Sequence, residues 1–126
     1  MTAHISFTNI DKEIATFSRF WLQDILRNKI GFTGTIFSDD LSMKGTDYVG
    51  GIEAKVGKAL ESGCNMVLVC NDRPAAVGAI NFLEKEEISQ SHKITKLKAF
   101  QSISWADLEK DARRKDIIGK LKTIEK

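Results

Sequence analysis

The sequence predicts an α/β protein built on parallel strands, and three observations carry that prediction. Short apolar, β-prone runs at 1–7, 34–38 and 65–70 alternate with segments whose apolar residues recur at helical spacing. Each strand-plus-helix unit takes about 30 residues, the usual length of a βα unit. The third run, Asn-Met-Val-Leu-Val-Cys, is apolar through its centre, the mark of a strand buried on both faces. Strand, helix, strand, helix, strand, helix is the order that right-handed crossovers require of parallel strands.

Met1 to Phe7 opens as the first strand and ends in a polar loop over Thr8 to Glu13. Ser18 is placed to cap a helix running from Arg19 to about Asn28, because its hydroxyl can accept a free N–H of the first turn. Trp21, Leu22, Ile25 and Leu26 share one face of that helix, and Gly31 stands where a left-handed residue would end it. The second strand, Gly34 to Ser38, breaks directly into Asp39-Asp40 and a loop carrying Gly45, Gly50 and Gly51. A second helix spans Ile52 to Ser62 and closes on Gly63. After the third strand, Pro74 sits well in the first turn of a helix reaching about Lys85, with Asp72 or Asn71 as its cap. Val77, Ile80, Phe82 and Leu83 are its apolar set. Ser104 with Asp107 resembles a capping box and opens a charged terminal helix through Ile117, Ile118 and Leu121. The Lys/Arg-rich stretch 110–126 reads as a solvated helix face.

At 126 residues the chain is one domain or a piece of a larger one. Apolar residues make up 42% and charged residues 29%, which argues against disordered and fibrous classes. The net charge of +2 offers no electrostatic case for a nucleic-acid partner. Apolar stretches reach about six residues, far short of the ~20 that span a bilayer. With no export signal at the start, a cytoplasmic protein is expected. Cys64 and Cys70 bracket a strand and should lie roughly 20 Å apart at ~3.3 Å per residue. A disulfide tolerates about 7 Å between Cα atoms, so the two are expected to be free. With no histidine pair nearby they make a poor zinc site, and both are expected to be small buried apolar residues.

Three parallel strands are few, so the chain is either a small open sheet or consecutive units of something larger. A first strand that starts at Met1, with nothing before it to pair its edge, reads as a cut end. Active sites in parallel α/β proteins lie at the carboxyl ends of the strands. Three polar groups fall there: His4, Ser38-Asp39-Asp40 and Asn71-Asp72-Arg73. Asp72 reads first as a helix cap and His4 as a hydrogen-bonded structural residue. Neighbouring strand residues point to opposite faces, so Asp39 and Asp40 make a poor two-carboxylate acid–base couple. A single carboxylate aimed into a pocket could act as nucleophile, metal ligand or acceptor for a sugar hydroxyl, and a turn-forming role is open beside these.

Several blocks occur in a particular order: Met1-Thr-Ala-His-Ile5, Ser18-Arg-Phe-Trp-Leu22, Ile25-Leu-Arg27, Gly31-Phe-Thr-Gly34, Ile36-Phe-Ser-Asp-Asp-Leu-Ser-Met43, Gly63-Cys-Asn-Met66 and Val69-Cys-Asn71. Together they resemble the carboxyl-terminal part of the bacterial β-N-acetylhexosaminidases of glycoside hydrolase family three. The resemblance runs over about the first 85 residues. It implies the last three βα units of a (β/α)8 barrel in 1–88, with C-terminal helices in 89–126 packing on it. It also implies retaining hydrolysis of terminal β-linked N-acetylglucosamine from peptidoglycan fragments, with muropeptides or related oligosaccharides as partners. By that resemblance Asp39 is the nucleophile and Asp40 is structural, and no metal or organic cofactor is implied. Substrate-binding residues in this chain are not identified.

The resemblance places the family's proton donor, a histidine on a mobile loop, and its sugar-binding lysine, histidine and arginine upstream of the segment matching Met1. His4 belongs to a different motif. The isolated chain is therefore expected to have little or no hydrolase activity. Departures from the family pattern are Ile14 in place of proline and Asn65 in place of aspartate. Two other readings stand beside the hydrolase. One is an assembly partner that completes a split barrel with a missing amino-terminal half. The other is a small α/β phosphotransfer domain holding Mg²⁺ at Asp39 and Asp40, with Asp72 as a further acidic group but no well-placed lysine.

Overall fold

The computed structural model describes residues 1–89, 91–99 and 102–124. Its elements are β1 (Ser6–Phe7), β2 (Asp11–Ile14), a helix of π type over Phe20–Lys29, β3 (Phe37–Asp40), α1 (Ile52–Ser62), β4 (Met66–Leu68), α2 (Arg73–Lys85), α3 (Trp105–Lys110) and α4 (Ala112–Ile124). Short 3-10 segments fall at Ala15–Phe17, Lys44–Val49 and Ile94–Leu97. The last two residues of the charged tail, 125 and 126, lie outside the described residues.

β3 and β4 run parallel, connected through α1, and α2 follows β4 and packs on α1. That is one complete β–α–β unit with its following helix, an α/β arrangement as expected. The expected single strand over Met1 to Phe7, followed by a polar loop, is corrected at the amino end. There β1 and β2 form an antiparallel hairpin, and the segment read as a polar loop supplies the second strand. The Asp11 carboxylate explains this, because it accepts from the Ser18 hydroxyl and from the Glu13 N–H, tying β2 to the chain beyond it. Residues 1–5 still run beside β3, where the Thr2 N–H donates to the Phe37 carbonyl at 2.9 Å. The carbonyls of Ala3 and Ile5 then accept from Thr16 and Ala15, which turns the chain off into the hairpin.

Ser18 caps the next helix as expected, its hydroxyl accepting the Trp21 N–H at 3.0 Å. The helix is wider than predicted, because its last bonds reach back five residues, as from the Ile30 N–H to the Ile25 carbonyl. Gly31 follows at φ +76. Arg27, half-buried, donates to the carbonyls of Phe32 (2.7 Å) and Gly34 (2.6 Å) and to Asn65 Oδ1 (2.8 Å). The same Asn65 oxygen accepts the Ile36 N–H at 3.0 Å, so one guanidinium locks the helix end onto the starts of both parallel strands.

α1 and its closure on Gly63, at φ +120, match the expected bounds. The cap of α2 is Asp72, which accepts the Ala75 N–H at 2.9 Å beside Pro74. Two glycines inside these helices mark their contact. A Cβ on Gly57 would meet the Phe82 ring at 3.4 Å, and one on Gly78 would meet the Ile52 methyl at 3.1 Å. The core below is small: Phe17, Leu22, Ile36, Leu41, Val56, Ala59, Cys64 and Ala79.

β4 is shorter than the predicted 65–70 run and is not buried on both faces, with Met66 exposed. Among the described residues it pairs with β3 alone, so its other edge lacks the cover that the apolar run anticipates. The terminal helix begins at its Ser104 cap, where the hydroxyl accepts the Asp107 N–H at 3.2 Å. It is interrupted at Asp111, whose extended backbone separates α3 from α4 and whose carboxylate accepts the Arg114 N–H. No described helix is long and apolar enough to cross a membrane.

Candidate active site

The carboxyl end of β3 is irregular where the chemistry was anticipated. Phe37 pairs with Met66 and Asp40 with Leu68, so three steps on β3 oppose two on β4. This is a bulge, and a buried side chain accommodates it. The Ser38 hydroxyl accepts the Leu68 N–H at 2.9 Å, in the place of a ladder carbonyl, and donates to the Asp39 carbonyl at 2.7 Å. Bulges re-aim side chains beside active sites. Here the bulge lies immediately before the Asp39-Asp40 pair.

The two carboxylates have different surroundings. Asp40 Oδ1 accepts the Cys70 N–H and the Ser42 N–H, each at 2.9 Å, and the Ser42 hydroxyl lies 2.7 and 2.8 Å from its two oxygens. Burial acts to raise the Asp40 pKa. The Cys70 N–H and both Ser42 donors outweigh it and hold the carboxyl below the usual range. Asp40 thus fastens the ends of β3 and β4 together, a structural role. Asp39 Oδ1 accepts the Asp40 N–H at 2.8 Å. Among the described residues no protein donor reaches Asp39 Oδ2, which leaves that oxygen available for chemistry.

His4 stands against this pair, its Nε2 2.9 Å from the Asp40 carbonyl and its Nδ1 3.1 Å from the Thr16 hydroxyl. The hydrogen-bonded structural role read for His4 is therefore what the structure shows. The third polar group is exposed. Asn71 adopts a left-handed backbone at φ 56, and Asp72 spends its carboxylate on the α2 cap. Residues missed from the sequence complete the site. Thr2 accepts the Asp39 N–H at 3.1 Å, and Thr16 is fully buried. Lys55 on α1 is buried and donates to the Leu41 carbonyl at 3.2 Å and to Asp47 at 2.7 Å, fixing the loop that leaves the site. Ser42, two residues after Asp40, carries the spacing of an aspartate-led turn and could have been found by that signal. Thr2, Thr16 and Lys55 carry none. Among the described residues no cluster of three or more metal-ligating side chains forms.

The cysteines are free, as expected, but one expectation about them is corrected. Cys64 is buried, and burial pushes its thiol up to about 12. Cys70 is exposed, because β4 ends at Leu68 and leaves it on the rim beside Asp40. Thiol labelling of the native chain at neutral pH should therefore modify Cys70 and spare Cys64 until the chain is unfolded. Equal labelling of both would contradict the packing.

A pH dependence also follows. The Ser18 hydroxyl and the Glu13 N–H, against a small opposing effect of burial, hold Asp11 below its ordinary value, as Asp40 is held. The unfolded chain binds these protons first, so stability is fully present above the ordinary carboxylate pKa and is lost as pH falls through the lowered folded values. Urea midpoints should be flat from neutrality to about pH 5 and fall below about pH 4. A chain carrying Asp11→Asn and Asp40→Asn should lose part of that slope.

Residues 1–100 match the family described as "Glycosyl hydrolase family 3 N terminal domain". This chain belongs to glycoside hydrolase family 3. A beta-hexosaminidase of Mannheimia succiniciproducens is 39% identical over 118 residues, covering 90% of this chain and 34% of the relative. One from Idiomarina loihiensis is 42% identical over 115 residues, with 90% and 35% covered. Among solved structures, the family 3 chain superposes on NagZ from Neisseria gonorrhoeae in complex with N-trifluoroacetyl-D-glucosamine. That match has a TM-score of 0.64 and 33% identity, over 87% of this chain and 30% of that one. The beta-N-acetylglucosaminidase from Thermotoga maritima gives 0.60 and 32%, over 76% and 22%. The family 3 chain thus spans about a third of the length of the curated relatives it matches.

Proposed function

We propose that this chain supplies the nucleophile of a retaining β-N-acetylhexosaminidase, with Asp39 in that role. The observation carrying this reading is the division of labour at the end of β3: Asp40 is consumed by Cys70 and Ser42, while Asp39 keeps an oxygen without a protein partner among the described residues. Asp39 Oδ2 attacks the anomeric carbon of a terminal N-acetylglucosamine as the bond to the leaving oxygen breaks. A glycosyl–aspartyl ester forms, and water then releases the sugar with retained configuration. The beta-hexosaminidase relatives and the N-trifluoroacetyl-D-glucosamine complex of the Neisseria protein support this substrate class. Muropeptide fragments of the cell wall, met in the cytoplasm, are the proposed source.

The leaving oxygen needs a proton, and general-acid help is worth typically 10²–10⁴-fold. His4 does not fit that task, because both its nitrogens face protein partners. We place the donor, as the family resemblance implies, in further βα units that complete a (β/α)8 barrel against residues 1–88 with 89–126 packed outside. The test is complementation. The 126-residue chain alone should turn over an aryl N-acetylglucosaminide at or near background. Mixing it with the preceding segment of the Mannheimia relative should restore turnover, and Asp39→Asn should remove it again. Robust turnover by the chain alone, or restored turnover indifferent to Asp39, would overturn the proposal.

A further inference from the structure

We infer that His4 is a positioning residue for Asp39, acting through a closed ring of hydrogen bonds that grips the Asp39–Asp40 backbone from both sides. The inference deepens the proposed function, since what is positioned matters for attack only if Asp39 is the nucleophile. The ring itself follows from donor and acceptor chemistry. A carbonyl oxygen can only accept, so His4 Nε2, 2.9 Å from the Asp40 carbonyl, carries the proton. In the neutral ring Nδ1 is then bare and accepts from the Thr16 hydroxyl at 3.1 Å. With its one proton so used, Thr16 Oγ1 accepts from the Thr2 hydroxyl at 2.9 Å. Thr2 in turn accepts the Asp39 N–H at 3.1 Å. Every donor points the same way round, from the Asp39 N–H through Thr2, Thr16 and His4 to the Asp40 carbonyl, a chain in which each bond polarises the next. The Ala3 carbonyl, 3.1 Å from the Thr16 hydroxyl, is the competing acceptor within this cluster.

What the ring encloses gives it consequence. Between its two ends lies the Asp40 N–H, which donates to Asp39 Oδ1 at 2.8 Å and so sets the direction of the nucleophilic carboxylate. The ring starts from the first turn of chain beside β3 and is anchored there by the Thr2 N–H on the Phe37 carbonyl. Thr16 at its centre is fully buried, which excludes water from the middle of the relay. His4 touches neither the free oxygen nor any group that would leave, so its part is orientation and not proton transfer.

The test uses the whole 126-residue chain, labelled with ¹⁵N, beside His4→Leu, His4→Gln and Thr2→Val. Nitrogen spectra should show His4 with its proton on Nε2. Hydrogen exchange at the Asp39 amide should quicken about tenfold in His4→Leu, the scale of one lost hydrogen bond, while α1 amides change by less than about twofold. Gln, whose amide nitrogen reaches the place of Nε2, should restore most of the protection. A proton on Nδ1 alone, an unchanged Asp39 amide, or equal quickening throughout α1 would each overturn the ring. Where His4→Leu does not fold, Thr2→Val breaks the ring one bond from Asp39 and is read by the same amides. In the complemented enzyme, His4→Leu should lower kcat about tenfold with KM little changed, and a rise in KM at unchanged kcat would overturn the positioning role. Failure of the nucleophile reading is separate, because it appears as Asp39→Asn retaining turnover while the Asp39 amide behaves as described.

Discussion

Asparagine at position 39 is expected to lower turnover by the assembled enzyme on the order of 10³-fold or more while leaving the chain folded. The amide is close to isosteric with the carboxylate and keeps an oxygen for the Asp40 N–H, the one hydrogen bond that Asp39's carboxylate accepts among the described residues. Stability should therefore move by no more than about 0.5 kcal/mol. The amide oxygen is a poor nucleophile toward an anomeric carbon and carries no charge to stabilise an oxocarbenium-like transition state. The measurement is kcat/KM on an aryl N-acetylglucosaminide together with a urea titration. A loss of less than about tenfold would remove Asp39 from the nucleophile role.

Alanine at position 40 should do the reverse, destabilising the fold by about 2–3 kcal/mol whether or not a substrate is present. It removes the acceptor of the Cys70 and Ser42 N–H groups and leaves the Ser42 hydroxyl with the Cys70 carbonyl alone, at 3.0 Å, among the described residues. Those bonds join the ends of the two parallel strands. Their loss falls at the rim, where water can reach the exposed Cys70 amide, so the cost stays below that of a fully buried charge network. Asparagine at the same position keeps one oxygen and should cost roughly half as much. Urea midpoints at fixed m report both, and a change below about 0.5 kcal/mol for alanine would show that Asp40 does not fasten the strands. The contrast between adjacent aspartates is itself the sharper result: one substitution should cost turnover and the other stability.

Much of the local structure was legible because it rests on contacts close in sequence. Asp72 and Pro74 at the start of α2, Gly63 after α1, Ser18 before the π-type helix and Ser104 before α3 all act within a turn of the residues they serve. The family was also legible, from ordered blocks that the match over residues 1–100 bears out. Errors arose where partners are distant. A polar loop became β2 because Asp11 meets Ser18, and a run read as a doubly buried strand kept Met66 exposed because its second edge has no described neighbour. Cys70 looked like core from its apolar neighbours and proved to be rim, since the strand stops two residues earlier.

The sequence by itself determined the α/β class, the family, the limits of α1 and the start of α2, and the Asp39-Asp40 pair at a strand end, because periodicity, capping and motif order are properties of neighbouring residues. Only the tertiary structure decided how the two aspartates differ. The bulge at Ser38, the hold of Cys70 on Asp40, and the contacts of Thr2, Thr16 and His4 around the Asp39–Asp40 backbone join residues up to 37 positions apart. Hydrogen bonds over such separations depend on where the folded backbone places each donor and acceptor, and no local spacing encodes that placement.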